Sequence, residues 1–455
     1  MPFRRNGMFV RAETSDVGQR ARRRIALRLL PFLFLMYLAC FVDRVNVSFA
    51  NLRMSADLGF SDRVYGLGVG IFFVGYVLFE IPGAIIVERW SARKWLARIM
   101  VTWGLVTILT GFVHTARQFY AARFLVGVAE ASFFPGVIVY LTHWFRISDR
   151  AKAVASFYTG VPTASVVGSL LAGWLLGIHW LGFAGWRWLF IMEGIPPIVL
   201  GIMALFYLTD QPQQARWLSE DERTWIVGEL EAETRAKKRI HNYTISQAFR
   251  DRRVMLLILL WFLTLSGAQG SIFWLPTFIK RLSSLPNSTV ALLVALPGLA
   301  AIGGMLLNGW HTDRTGERRW HTAIPLACAS AAYLLLPATG HNFPMAMVLF
   351  ILGGGFLYSC YPTFWSMPTL ILSETAAAAS FGLINSVGQL GGLVGPYAVG
   401  YLNDHTGSMI AAFVFIGMCY LLAGSVVPLI NIRIPISVTA RDSPREGLLA
   451  RSSSQ

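Results

Sequence analysis

Twelve apolar runs, each near the length that crosses a lipid bilayer, limit what this chain can fold into. They fall at 25–50, 64–87, 95–114, 118–142, 152–177, 186–208, 254–279, 289–310, 320–338, 344–371, 378–402 and 408–431. The hydrocarbon core takes about 20 residues of helix. It offers no water to unpaired backbone groups, so each run reads as a helix. Only 14% of the residues are charged, against about 25% in a soluble domain. The expectation is an all-α membrane protein with twelve transmembrane helices.

The gap between the sixth and seventh runs is the one long interruption. It predicts a six-helix bundle over 25–208, a linker over 209–253 and a second six-helix bundle over 254–432. The polar ends, 1–24 and 433–455, read as disordered. Within the linker, Ser219-Glu220-Asp221-Glu222 has the form of a helix N-terminal capping box. Leu218, Trp225, Ile226 and Leu230 then make an apolar stripe. A short amphipathic helix lying on the cytoplasmic face and tethering the halves is expected. An even number of spans puts both termini on one side, and that side holds 31 of the 39 Lys and Arg residues. The opposite side holds 6. The termini are therefore expected to be cytoplasmic. The basic charge is a topology signal, and no nucleic-acid partner is implied. The first run is too long for a signal-peptide core and lacks a cleavage site, so it is expected to be retained.

The two halves repeat. Glu88-Arg89-Trp90-Ser91-Ala92-Arg93-Lys94 follows the second run, and Asp313-Arg314-Thr315-Gly316-Glu317-Arg318-Arg319 follows the eighth, 225 residues later. In these turns Glu88, Arg89, Arg93, Asp313, Arg314 and Arg318 are expected to serve structure or gating. The fifth and eleventh runs are both glycine-rich. Two parallel six-span halves with a site between them is the architecture of major facilitator transporters.

Charges inside the runs mark candidate chemistry. Asp43 and Arg44 stand side by side in the first run, and Arg123 and Glu130 lie seven residues apart in the fourth, on one helix face. Each charge near the bilayer centre costs about 2.5–3.5 kcal/mol. At 1.5 Å per residue, Asp43, Arg44 and Arg123 come to similar depth in the outer half and Glu130 lies near the middle, and the four are expected to form one neutral cluster facing a substrate path. Which arginine holds which acid stays open. Gly127, between Arg123 and Glu130, would admit a neighbouring helix or a ligand. Tyr76 and Glu80 share a face of the second run; Tyr76 is a candidate substrate contact and Glu80 a gating or structural group. Glu193, before Gly194 and Pro196, reads as a partner for a helix end. The second half offers neutral groups instead: Gln269, Phe273, Trp274, Tyr361, Trp365, Asn385 and Gln389. Gln269, Trp365, Asn385 and Gln389 are candidate substrate contacts.

Several chemistries are excluded. The sequence has no Walker loop, no metal-ligand spacing among its eight histidines and no nucleophile–base set. Its four cysteines all sit in apolar runs as inert thiols. No enzyme, metal or organic cofactor is expected.

At these residues the chain resembles the anion:cation symporter family of the major facilitator superfamily over about residues 25–432. The resemblance is carried by Phe41-Val-Asp-Arg-Val-Asn-Val, Arg123-Phe-Leu-Val-Gly-Val-Ala-Glu-Ala, Phe134-Pro-Gly, Trp186-Arg-Trp-Leu-Phe-Ile-Met-Glu-Gly and Leu383-Ile-Asn-Ser-Val-Gly. It implies proton-coupled uptake of an organic anion, such as a sugar acid, hydroxy acid or aromatic acid, across a bacterial inner membrane. It also implies that Asp43 and Glu130 are the protonatable pair, and that Arg44 and Arg123 are their ion partners and the carboxylate readers. Tyr76, Trp365 and Asn385 match substrate contacts of sugar-acid members. Protons are the implied coupling ion, and the protein is expected to act as a monomer in the bilayer. Four positions depart from the family pattern: Ser132 for glycine, Gln389 for asparagine, Leu393 for phenylalanine, and Val161 for a polar contact. Val161 favours a less hydroxylated acid. Proton-independent exchange or export, and a transporter-like carboxylate sensor, are the alternatives.

Overall fold

The structure, a computed structural model, describes residues 6–237, 250–340, 342–371 and 374–430. Those residues form helices, turns and short connections. The first half consists of α1 (Asn6–Leu58), α2 (Asp62–Arg89), α3 (Ala92–Thr110), α4 (Ala116–Glu130), α5 (Phe133–Thr142), α6 (Ile147–Tyr158), α7 (Gly160–Leu175) and α8 (Gly185–Tyr207). The linker contributes α9 (Glu220–Lys237). The second half consists of α10 (Arg252–Leu282), α11 (Asn287–Leu293), α12 (Ala295–Thr315), α13 (Trp320–Leu335), α14 (Phe343–Ile371), α15 (Glu374–Gln389), α16 (Gly391–Thr406) and α17 (Ile410–Val426).

Every predicted run is helical, with ends moved by a few residues. Among the described residues, nine helices are long and apolar enough to cross a membrane by length and composition. The other three spans are shorter or broken. The third, α3, carries Arg93, Lys94 and Arg98. The fifth is α6 followed by α7, and the eleventh is α15 followed by α16. The fourth span also breaks, between α4 and α5, where Ser132 adopts the left-handed region (φ 66°). That conformation suits glycine, the residue that the family resemblance leads one to expect there. Here the Ser132 hydroxyl instead accepts from Trp95 Nε1 at 3.2 Å.

Capping residues fix several helix starts. Ser61 accepts from the Val64 amide, Ser91 from the Lys94 amide, and Thr115 with Gln118 completes a capping box. Close backbone approach then sets the packing. A Cβ on Gly104 would collide with the Gly194 carbonyl, and the reverse holds as well, so α3 and α8 touch at two glycines. Small residues at such crossings are how membrane helices gain van der Waals contact without a hydrophobic driving force.

The N-terminus departs from expectation. Residues 16–24, expected to be disordered, lie within α1, and the linker helix gives them partners. Arg20 meets Asp221 at 3.2 Å, Arg24 meets Glu222 at 2.7 Å, and Trp225 lies against Gly18. From Asp16, α1 runs 43 residues, about 65 Å at 1.5 Å per residue, roughly twice the hydrocarbon thickness. An ion pair and a hydrogen bond also bind α9 to the turn between the fourth and fifth spans: Arg146 meets Glu229 at 2.8 Å, and the Ile147 amide donates to Glu233 at 2.9 Å. Exposed pairs contribute about 0–1 kcal/mol each, so burial of the apolar Leu218 and Ile226 carries much of the docking. The ion pairs of α9 that join it to the bundle are made with the first half. Residues 238–249 and the tail beyond 430 lie outside the described residues.

The halves meet away from the termini. There, Asn51 Nδ2 donates to Thr277 Oγ1 at 3.0 Å, and Asn287 Nδ2 donates to the Leu52 carbonyl at 3.3 Å. Asp404 accepts the amides of Asp62 and Arg63 at 3.1 and 2.9 Å, capping α2 from the other half. Arg281 reaches Asp62 at 2.5 Å, and Tyr65 donates to the Phe273 carbonyl at 2.8 Å. Towards the termini, the last polar bridge between the halves among the described residues is made by Glu80.

Candidate functional site

Asp43 and Arg44 point in different directions from α1. Arg44 forms a buried ion pair with Glu130 at the end of α4. The same Glu130 oxygen accepts from the Cys40 thiol at 3.1 Å, while its other oxygen has no hydrogen-bond partner. Arg44 Nε is likewise unpartnered. The guanidinium lies 4.7 Å from the Phe41 ring, 5.4 Å from Phe72 and 5.2 Å from Tyr76. Cation–π contacts of this kind contribute about 0.5–2 kcal/mol each.

Asp43 is held by neutral donors. Thr107 Oγ1 donates at 2.9 Å, Asn46 Nδ2 donates at 2.9 Å, and Trp103 Nε1 donates to the same oxygen as Thr107. Arg123 is 2% exposed and makes no ion pair among the described residues; its Nε and Nη2 lack hydrogen-bond partners. Its guanidinium lies 5.0 Å from the Phe72 ring, so both arginines share that ring. The four charges lie within electrostatic reach of one another, but they do not close into two ion pairs. One acid–base pair closes, while the second acid turns to α3 and leaves Arg123 a buried cation. The cause is the donor pair Trp103 and Thr107, which offers Asp43 enough hydrogen bonds to dispense with a cation.

Gly127 serves helix packing at this point. A Cβ there would strike the Phe72 carbonyl and the Tyr76 amide, so α4 lies backbone to backbone on α2. That contact sets Phe72 and Tyr76 under the two arginines. Glu193, expected at a helix end, lies inside α8 and caps nothing.

The second-half candidates divide. Asn385 Nδ2 donates to Glu80 Oε1 at 2.9 Å, and Ser386 Oγ donates to Oε2 at 2.7 Å, so Asn385 joins the halves through Glu80. Trp365 belongs to an aromatic wall, 5.0 Å from Trp261 and 5.5 Å from Phe381. Tyr361 and Phe364 complete that wall on Trp261. Gln389 is half-buried with Oε1 unpartnered, and the Trp261 indole N–H is unpartnered too. Gln269, on α10, is half-buried. Phe273 and Trp274 are fully buried; Trp274 donates to the Pro396 carbonyl at 3.1 Å and packs as core.

The family model described as Major Facilitator Superfamily matches residues 33–396. The chain belongs to that superfamily. It is a multi-pass membrane transporter and not an enzyme. A protein of Agrobacterium vitis named as a tartrate transporter is 45% identical, covering 94% of this chain and 97% of its own. A Pseudomonas putida protein named as the metabolite transport protein NicT is 40% identical over 90% of this chain and 95% of its own. Among solved structures, a bacterial homolog of the human lysosomal transporter Spinster, inward-facing and unoccupied, superposes with a TM-score of 0.71. It is 18% identical and covers 90% of this chain and 95% of its own, a likeness of fold.

Within the major facilitator fold, the two repeated turns are built differently. After α2, Asp210 beyond the sixth span does the capping. It accepts from Ser91 Oγ at 2.8 Å and from the Arg93 amide at 2.9 Å, with Arg93 Nε at 3.9 Å. After α12, the turn supplies its own acid: Glu317 accepts the amides of Arg319 at 2.7 Å and Trp320 at 2.9 Å. The repeat puts Ala92 where Glu317 stands, so the first half needs an acid from elsewhere. Asp210 was missed in the sequence, and that alanine is the signal that would have found it. Asp313 pairs with Arg318 at 3.1 Å, and Arg314 lies 4.0 Å from the Trp310 ring. Arg89 is exposed in the last turn of α2, and the Glu88 side chain lies outside the described residues.

Proposed function

We propose that this protein imports a small organic carboxylate, of the hydroxy-acid class, by proton symport across a bacterial inner membrane, with its termini in the cytoplasm. The observation that carries the reading is the buried Arg44–Glu130 pair, in which one carboxylate oxygen and one guanidinium N–H remain unpartnered. A proton on Glu130 cancels its charge. Arg44 is then free to take a substrate carboxylate in a two-pronged hydrogen bond. One incoming carboxylate replaces Glu130 as counter-ion, so the charge around Arg44 stays balanced through the cycle.

Arg123 refines the substrate class. It is a second buried cation across the shared Phe72 ring, with two N–H groups to donate. A short acid bearing a second carboxylate or hydroxyls would satisfy both arginines. Gln389 Oε1 and the Trp261 N–H are polar groups for its remaining oxygens. The tartrate naming of the Agrobacterium vitis relative agrees with that chemistry. Alternating access follows from where the halves join. Breaking the bridges at Asn51–Thr277, Asp404 and Arg281–Asp62 while closing the end near the termini would move the site from one side to the other. The basic residues on the side of the termini support their cytoplasmic placement.

Purified protein in liposomes, acid outside, should accumulate labelled tartrate or a related hydroxy acid above its equilibrium level, and a protonophore should abolish the excess. Uptake that is equal with and without the gradient across hydroxy, sugar and aromatic acids would overturn the proposal.

A further inference from the structure

Glu193 has no part in the exchange just described. It lies inside α8 and is 5% exposed. Neither of its carboxyl oxygens accepts a hydrogen bond, and no Lys or Arg pairs with it among the described residues. The polar groups that it faces are Asn46 and Asp43 on α1. From α3, on its other side, the backbone at Gly104 and the Ile108 side chain press on the neighbouring Gly194. No charged group of α3 or α7 faces it.

An ionised carboxylate in this place would have no cation, and its nearest donor, the Asn46 amide, already donates to Asp43, so its burial would cost several kcal/mol. A neutral carboxyl needs one acceptor for its proton. That acceptor is present, because Asn46 Oδ1 is buried without a donor while Asn46 Nδ2 donates to Asp43 Oδ1 at 2.9 Å. A Glu193 O–H donated to the Asn46 carbonyl would meet both needs in one chain, since the Asn46 N–H already donates to the Asp43 carboxylate.

We propose that Glu193 and Asp43 share one proton across the Asn46 amide, with the proton resting on Glu193. A half-turn of the Asn46 side chain reverses the arrangement. Asp43 would then carry the O–H that meets Oδ1, and Nδ2 would donate to an ionised Glu193. The proton leaves one carboxyl oxygen and arrives on the other, so net charge is unchanged. Trp103 and Thr107 donate only to Asp43, which sets the resting side. The protein thereby holds a second proton-binding site beside the Arg44–Glu130 pair. Its use in transport rests on the symport reading above; the shared proton does not.

Infrared spectroscopy of the substrate-free protein at neutral pH tests this directly. The wild type should show the carbonyl stretch of a protonated carboxylic acid, shifted by deuteration and by carboxyl-labelled glutamate but not by labelled aspartate. Glu193→Gln, which keeps volume and a donor for Asn46, should lose that band, and Glu130→Gln should keep it. If Glu193→Gln does not fold, labelled wild type and Asp43→Asn carry the test, since a glutamic-acid band should persist in both. The absence of any protonated glutamate band, or a band unchanged in Glu193→Gln, overturns the inference. That failure in a protein that still accumulates acid under a pH gradient would leave the symport reading standing.

Discussion

Glu130→Gln is expected to abolish accumulation driven by a pH gradient while leaving exchange of labelled for unlabelled acid. One coupled proton allows about tenfold accumulation per pH unit, since each unit is worth about 1.4 kcal/mol. With a permanently neutral side chain at position 130, that ratio should fall to about one. The amide preserves volume and an acceptor for Arg44 and Cys40, both of which meet Glu130 now. Truncation would be a poorer test, because removing one partner of a buried pair costs about 3–5 kcal/mol in stability. Wild-type accumulation by Glu130→Gln in proteoliposomes would remove Glu130 from the coupling step.

The second large effect falls on packing. Gly127→Leu is expected to eliminate correctly folded protein, because the added Cβ would already collide with the Phe72 carbonyl. On the facing helix, a Cβ on Gly75 would meet the Phe124 carbonyl, so neither helix can yield. Overpacking typically costs about 1–3 kcal/mol, and a backbone-to-backbone crossing has no flexible side chain to absorb the strain. Gly228→Leu is the control, since nothing lies within 4 Å of a Cβ there. Size-exclusion chromatography of detergent extracts reads both, with a monodisperse peak expected for Gly228→Leu alone.

What the chain revealed beforehand followed the strength of each physical signal. Apolar runs of bilayer length cannot hide, and all twelve are helical. Breaks inside spans were not legible, because Ser132 and Val294 stand in apolar runs and the glycines after Thr159 and Leu390 serve helix packing as readily as turns. Membrane burial lets neighbouring helices satisfy the freed backbone groups there. The charged residues were conspicuous for the cost they impose, yet their pairing depended on side-chain direction. Trp103 and Thr107 look like ordinary span residues until α3 turns them toward Asp43. Depth along a helix places groups at one level; azimuth decides which of them meet. For the same reason Asn385 was read as a substrate contact without its bond to Glu80, 305 residues away in sequence.

The central claim is that substrate replaces Glu130 on Arg44 only when Glu130 carries a proton. A carboxylic acid of ordinary acidity stays ionised across neutral pH, so proton uptake on binding belongs to the protein. Affinity should therefore rise as pH falls, by up to about tenfold per pH unit for one coupled proton. Calorimetric titration of the purified protein with tartrate from pH 5.5 to 8.5, in buffers of differing ionisation heat, measures the slope and the protons taken up together. The account predicts a pH-dependent Kd with about one proton bound per substrate in the wild type, and neither in Glu130→Gln. A Kd that is flat with pH and independent of buffer in the wild type would contradict it.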